Sequence, residues 1–101
     1  MIEIQREPTH AGEILREEFL VPFGLTQIQL AKELQTSFRA VNEFINGKRG
    51  VTVEMALRLS KYFGTTPQLW LNLQNQYDLY KVLKNKKEIF DNLKAYEPMM
   101  A

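Results

Sequence analysis

"LTQIQLAKELQTSFRAVNEFINGKRG", residues 25–50, carries two short apolar stripes at helical spacing, with only a few polar residues between them. Leu30, Ala31 and Leu34 form the first stripe; Val41, Phe44 and Ile45, at i, i+3 and i+4, form the second. Thr26 is placed to cap the first helix, because a hydroxyl there accepts an amide proton from the open first turn, and Ser37 is placed to cap the second. Gln35 and Thr36 make the break. Asn46-Gly47 ends the second helix, since Gly47 readily takes the left-handed conformation that closes one. Two helices joined by so short a turn describe a helix-turn-helix, whose second helix can enter the DNA major groove. The same shape occurs in bundles that never touch nucleic acid, so the outward side chains have to discriminate.

Those side chains suit base reading. Arg39 can form a bidentate pair with guanine, Asn42 can hydrogen-bond adenine, and Phe38 can contact a thymine methyl. Gln27 and Ser37 stand at the starts of the two helices; Gln27 offers an amide beside open backbone N–H groups that favour phosphate. Lys48 and Arg49, just past the second helix, supply charge for phosphate neutralisation. Each has a plainer reading. Lys48-Arg49 also fits a solvated loop, Phe38 also fits a contact with another protein, and Glu43 opposes phosphate. That opposition is relieved if Glu43 accepts from a cytosine amino group or pairs with Arg39 at i+4.

Working outward, helical periodicity continues and no run alternates as a strand would. After a short extended "MIEIQREP", Thr9 is expected to cap a helix reaching about Leu20, with Ile14, Leu15, Phe19 and Leu20 on one face and Pro22 and Gly24 closing it. "VTVEMALRLSKYFG" predicts a helix capped by Thr52, burying Met55, Ala56, Leu59 and Phe63 and stopping at Gly64. Thr66 followed by Pro67 opens a long helix marked by Leu69, Trp70, Leu73, Tyr77 and Tyr80. Its aromatic stripe is most simply intramolecular core, with part left for a dimer seam. "KVLKNKKEIFDNLKAYE" either continues this helix or forms a short sixth. The expectation is an all-α bundle of five to six helices in a single domain, 1–101, with a core over 9–66 and C-terminal dimerisation helices over 67–95.

Composition sets bounds rather than a function. With 101 residues and 45% hydrophobic content, one modest core is expected. The chain has no cysteine, which removes disulfides, thiolate zinc sites and cysteine nucleophiles and suits a reducing cytoplasm. The N-terminus has no secretory pattern, and no apolar run approaches a membrane span. Net charge is +1, but its distribution is uneven. Residues 1–25 hold five acidic groups against Arg6 and Arg16, whereas 26–50 hold Lys32, Arg39, Lys48 and Arg49 against Glu33 and Glu43. An enzyme is disfavoured: the one histidine, His10, has no evident nucleophile partner, and Glu13, Glu17 and Glu18 without histidine read as a solvated face. "INGKRG" lacks the strand-loop-helix setting of a phosphate loop, and no cofactor motif is present.

The stretch "TQIQLAKELQTS…VNEFINGKRG" resembles the lambda-repressor-like helix-turn-helix group. The wider pattern "HAGEILREEFLVPFGLTQ" with "NGKRGVTVEMALRLSKYFGTTPQLWLNLQNQYDL" resembles the HigA antitoxin family, also called virulence-associated protein I, over roughly residues 8 to 80. Three positions depart from the family pattern: Ala11 replaces a proline, Gln35 replaces a glycine common in the turn, and Phe38 stands where a polar residue or proline is more usual. The resemblance implies a cytoplasmic homodimer that binds an operator in its own promoter and regulates transcription of a toxin–antitoxin operon as a repressor. It also implies a HigB toxin, a ribosome-dependent mRNA endonuclease, as the partner to be neutralised. Its DNA-facing positions fall on Gln27, Ser37, Phe38, Arg39, Asn42, Lys48 and Arg49, and its dimer contacts on the helices from about Pro67. Two alternatives keep the same fold: a stand-alone phage-type repressor without a toxin partner, and a protein-interaction module that no longer binds DNA.

Overall fold

The computed structural model describes residues 7–97, so most of the extended start expected over 1–8 lies outside the described residues. Among them the secondary structure is entirely helical. Helix α1 comprises an α segment Ala11–Leu15, a π-helical turn Arg16–Leu20 and a last turn Val21–Phe23; α2 is Gln27–Glu33, α3 Phe38–Ile45, α4 Val53–Phe63, α5 Pro67–Asn85 and α6 Lys87–Asn92. None is long and apolar enough to cross a membrane.

Local chemistry explains most boundaries. Thr26, Ser37, Thr52 and Thr66 each cap a helix by accepting a backbone N–H three residues on, and at α2 the Gln29 side chain accepts the Thr26 N–H in return, completing a capping box. Gly24 and Gly64 close α1 and α4 in the left-handed region, at φ 65° and 76°. The start of α1 differs from the expectation. His10, not Thr9, is its cap: the Gly12 N–H donates to the imidazole Nδ1 at 2.9 Å. The end differs too, because Pro22 lies inside the last turn instead of stopping the helix at Leu20. Proline lacks an N–H and its ring collides with the carbonyl four residues earlier in a regular helix. The π turn just before it, with the Val21 N–H donating to the Arg16 carbonyl, widens the backbone and lets the helix outlast the proline.

The core is one cluster. Ala11, Leu15 and Leu20 of α1 meet Leu30, Ala31 and Leu34, then Val41, Phe44 and Ile45 of α3, with Val51, Ala56, Leu59 and Trp70 closing the far side. Phe19 links the layers, its ring 4.8 Å from Phe63 and 5.3 Å from Trp70. Trp70 is the one buried residue of α5; its indole N–H donates to the Thr65 hydroxyl at 2.8 Å. Beyond Tyr77, whose ring meets His10, the long helix leaves the head, and the molecule extends over 58 × 24 × 22 Å. Leu79, Val82, Ile89, Phe90 and Leu93 are exposed along this arm. The stripe read as mainly intramolecular core is therefore buried at Trp70 and half-exposed at Tyr77 and Tyr80.

Candidate nucleic-acid interface

The break between α2 and α3 is built under strain. Gln35 adopts φ 56°, the left-handed region that a side-chain-bearing residue occupies at a cost of roughly 1–2 kcal/mol. The surroundings over-determine this turn. The Thr36 N–H donates to the Ala31 carbonyl at 2.9 Å, and Arg58 Nη1 from α4 donates to the carbonyls of Leu34 at 2.6 Å and Gln35 at 3.1 Å. Glu54 holds the other side of that guanidinium at 2.7 Å. Arg58 thus satisfies carbonyls that a helix end leaves open and locks the angle between α2 and α3. The sequence reading had no role for it, since the contact spans more than 20 residues.

At the outer face of α3, Phe38 is 48% exposed and the Arg39 side chain 82% exposed. Ser37 is partly committed: its hydroxyl oxygen accepts the Ala40 N–H at 3.0 Å, leaving its own proton to donate. Asn42 and Gln27 come together across the motif, with Asn42 Nδ2 donating to Gln27 Oε1 at 2.9 Å. That bond fixes both amides. It leaves the half-exposed Asn42 with Oδ1 and a second Nδ2 proton, the acceptor–donor pair that matches the adenine major-groove edge.

The basic pair is organised as well. The Lys48 N–H reaches back to the Glu43 carbonyl at 2.8 Å, with Gly47 at φ 75°, so the chain folds over the end of α3. This brings Arg49 to Glu43: Arg49 Nη2 and Nε donate to Glu43 Oε1 at 2.7 and 3.2 Å, while Arg39 Nε donates to Glu43 Oε2 at 2.9 Å. The pairing at i+4 foreseen for Glu43 and Arg39 is present, and Arg49 is its third member. Hydrogen bonds from Arg39 and then Arg49 hold the Glu43 carboxyl below the usual carboxylate range, and the same bond raises Arg39 above its ordinary value, so both stay charged at neutral pH. Lys48 remains exposed. From α5, Gln74 Oε1 accepts the Val51 N–H at 2.8 Å, and a Cβ at Gly50 would come 2.8 Å from the Gln74 amide. The long helix therefore pins the loop that carries Lys48 and Arg49.

Behind α3 lies His10. Its ring packs 5.8 Å from Phe44 and 4.8 Å edge-on to Tyr77, joining α1, α3 and α5. Burial lowers its pKa below the ordinary 6.5; Asp78 and Glu13 oppose the shift, and Lys81 adds to it. The neutral ring is also the form whose Nδ1 can accept the capping N–H. A depressed histidine pKa means that its contribution is present above pH 6.5 and is lost as pH falls from there toward the folded value. Stability should therefore fall as the pH drops from 7.5 to 5.5. His10→Asn, which caps without titrating, should flatten this part of a urea-midpoint series; an unchanged slope would remove His10 as the cause.

Comparison with known proteins places this chain in a family. The helix-turn-helix family HTH_3 matches residues 15–70, spanning α2 and α3 and ending at Trp70. Virulence-associated protein I of Dichelobacter nodosus is 49% identical over 80 residues, covering 79% of this chain and 74% of its own length. An addiction module antidote protein of the HigA family from Coxiella burnetii superposes with a TM-score of 0.84 at 43% identity, over 90% of this chain and all of that one. Antitoxin HigA from Pseudomonas aeruginosa, solved with the higBA promoter, superposes with a TM-score of 0.85 at 39% identity, again over 90% of this chain and all of its own. The helical fold is thus a shared architecture, and the chain belongs to the HigA antitoxin family of helix-turn-helix regulators.

Proposed function

We propose that this chain is a sequence-specific DNA-binding antitoxin that acts in the cytoplasm as a homodimer, represses its own toxin–antitoxin operon and neutralises a HigB-type mRNA endonuclease. The observation that carries the DNA reading is the outward pair Arg39 and Asn42, held by Glu43 and Gln27 on a helix whose back is buried through Val41 and Phe44. Arg39 addresses guanine, Asn42 adenine and Phe38 a thymine methyl, while Gln27, Ser37, Lys48 and Arg49 take phosphates. A single α3 reads only a few base pairs, so useful specificity calls for two copies about one duplex turn, roughly 34–36 Å, apart. The exposed apolar arm of α5 and α6 supplies a surface for that pairing. The relative solved with promoter DNA supports the operator, and the family supports the toxin.

Arg39→Ala should weaken operator binding by about 1–3 kcal/mol and relax preference at one base pair of each half-site. Fluorescence anisotropy with the native upstream duplex and its single-base variants measures both. Wild-type affinity in the Arg39→Ala protein would remove α3 from the reading role. Growth rescue on co-expression with a HigB-type toxin tests the second activity, and the absence of rescue would leave a stand-alone repressor.

A further inference from the structure

We propose that Glu43 is a specificity-determining residue of the DNA surface, acting as a positioning clamp on Arg39 and Arg49 and as a charge that penalises non-cognate phosphate. The inference rests on the reading of α3 as the DNA-facing helix. A carboxylate in the middle of a phosphate-binding face is unfavourable for affinity, so its presence there calls for a compensating role. The geometry supplies one. Glu43 uses a different oxygen for each arginine, Oε2 for Arg39 and Oε1 for Arg49, bridging residues from the helix and from the loop beyond it.

The two arginines are held differently. Among the described residues Arg39 hydrogen-bonds through Nε alone, which leaves both terminal amino groups to address the guanine O6 and N7 edge. Arg49 is engaged through Nε and Nη2 together, so any phosphate that its remaining Nη1 donors reach lies close to the Glu43 carboxylate. On unrelated DNA no base contact offsets the repulsion between that carboxylate and the backbone. On operator, the preset Arg39 forms its base contact without first being ordered. Glu43 is itself only a quarter exposed, at 26% for its side chain, which fits a seated clamp rather than a free surface acid.

The test uses the full-length protein, operator duplex and an unrelated duplex of equal length, titrated over a series of salt concentrations. Glu43→Gln should raise affinity for unrelated DNA roughly tenfold, lower the operator-to-unrelated ratio by a similar factor, and steepen the salt dependence on unrelated DNA by about one counterion as Arg49 is freed. Glu43→Asp keeps the charge but shortens the reach, so it should weaken operator binding while leaving unrelated DNA at its wild-type level. If Glu43→Gln raises both affinities in parallel with the ratio unchanged, Glu43 contributes bulk charge only and the proposal fails. If neither affinity moves, it fails as well. Arg39→Ala separates this from the underlying reading. An Arg39→Ala protein that loses operator affinity beside a Glu43→Gln protein with an unchanged ratio overturns the clamp alone, whereas an Arg39→Ala protein that binds like wild type overturns the DNA role of α3.

Discussion

Gly12→Ala should lower the thermal midpoint by roughly 10–20 °C, corresponding to about 3 kcal/mol in a domain of this size. Gly12 is buried where α1 crosses α3. A Cβ built there runs into the carbonyl oxygen of Phe44 and lies 2.8 Å from that carbonyl carbon and 2.9 Å from Ile45 Cα. All three are backbone atoms, so no side chain can rotate away. Either α1 lifts off or α3 is displaced, and both responses disturb the packing of Leu15 and Phe44, which are almost completely buried.

The functional consequence exceeds the loss of stability. Moving α3 shifts Asn42 against Gln27, whose 2.9 Å bond depends on the angle between α2 and α3. Leu59→Ala is the control: it opens a cavity in α4 without forcing an atom against the α3 backbone, for a comparable loss of about 2–5 kcal/mol. At a temperature where both variants are folded, Gly12→Ala should bind operator more weakly than Leu59→Ala. Differential scanning calorimetry and anisotropy give the two quantities. A Gly12→Ala protein with the wild-type Tm would show that α1 and α3 tolerate separation, and the close-approach argument would be lost.

What the sequence made legible was what is local in chain or periodic along one helix. Four of the caps, at Thr26, Ser37, Thr52 and Thr66, follow from a hydroxyl three residues before the amide it accepts. The buried faces of α2 and α3 follow from helical period, and so does the outward placement of Arg39. The cap at His10 was missed because an imidazole accepts at Nδ1 only when its neutral form is favoured, and here Phe44 and Tyr77, far along the chain, bury the ring. In the sequence Pro22 reads as a stop, because a π turn leaves no mark in apolar spacing. In the candidate site, the pairing of Glu43 with Arg39 at i+4 was legible and the longer-range couplings were not. Gln27 and Asn42 are 15 positions apart, and Arg49 reaches Glu43 only because Gly47 turns the chain back. Gln35 shows the converse. The left-handed turn that a glycine would mark is kept by Arg58, whose donors substitute for a local preference with a distant bond.

Trp70→Ala should cost about 3–5 kcal/mol, because truncating a buried indole removes its transfer free energy and leaves a cavity that the surroundings only partly fill. Against the roughly 5–15 kcal/mol that holds a domain of this kind together, that is a large share. The position concentrates two tasks. As the single buried residue of a 19-residue helix, Trp70 is the main apolar anchor of the C-terminal arm on the head, through Phe19 at 5.3 Å, beside the Gln74 bond to Val51 and the Tyr77 contact with His10. If the arm carries the dimer seam, detaching it also uncouples the two reading helices, and operator affinity should fall further than a shift in folded fraction explains. Trp70→Phe separates the contributions: it keeps an aromatic body against Phe19 and loses the indole N–H, so its cost should be nearer about 1 kcal/mol. Trp70 is the chain's one tryptophan, so unfolding is followed by circular dichroism rather than fluorescence, with sedimentation to report association. A Trp70→Ala protein that loses less than the Trp70→Phe estimate would mean that the Gln74 and Tyr77 contacts hold α5 to the head without the indole. Full stability loss with the wild-type concentration dependence of association would instead place the pairing surface on the head and not on the arm.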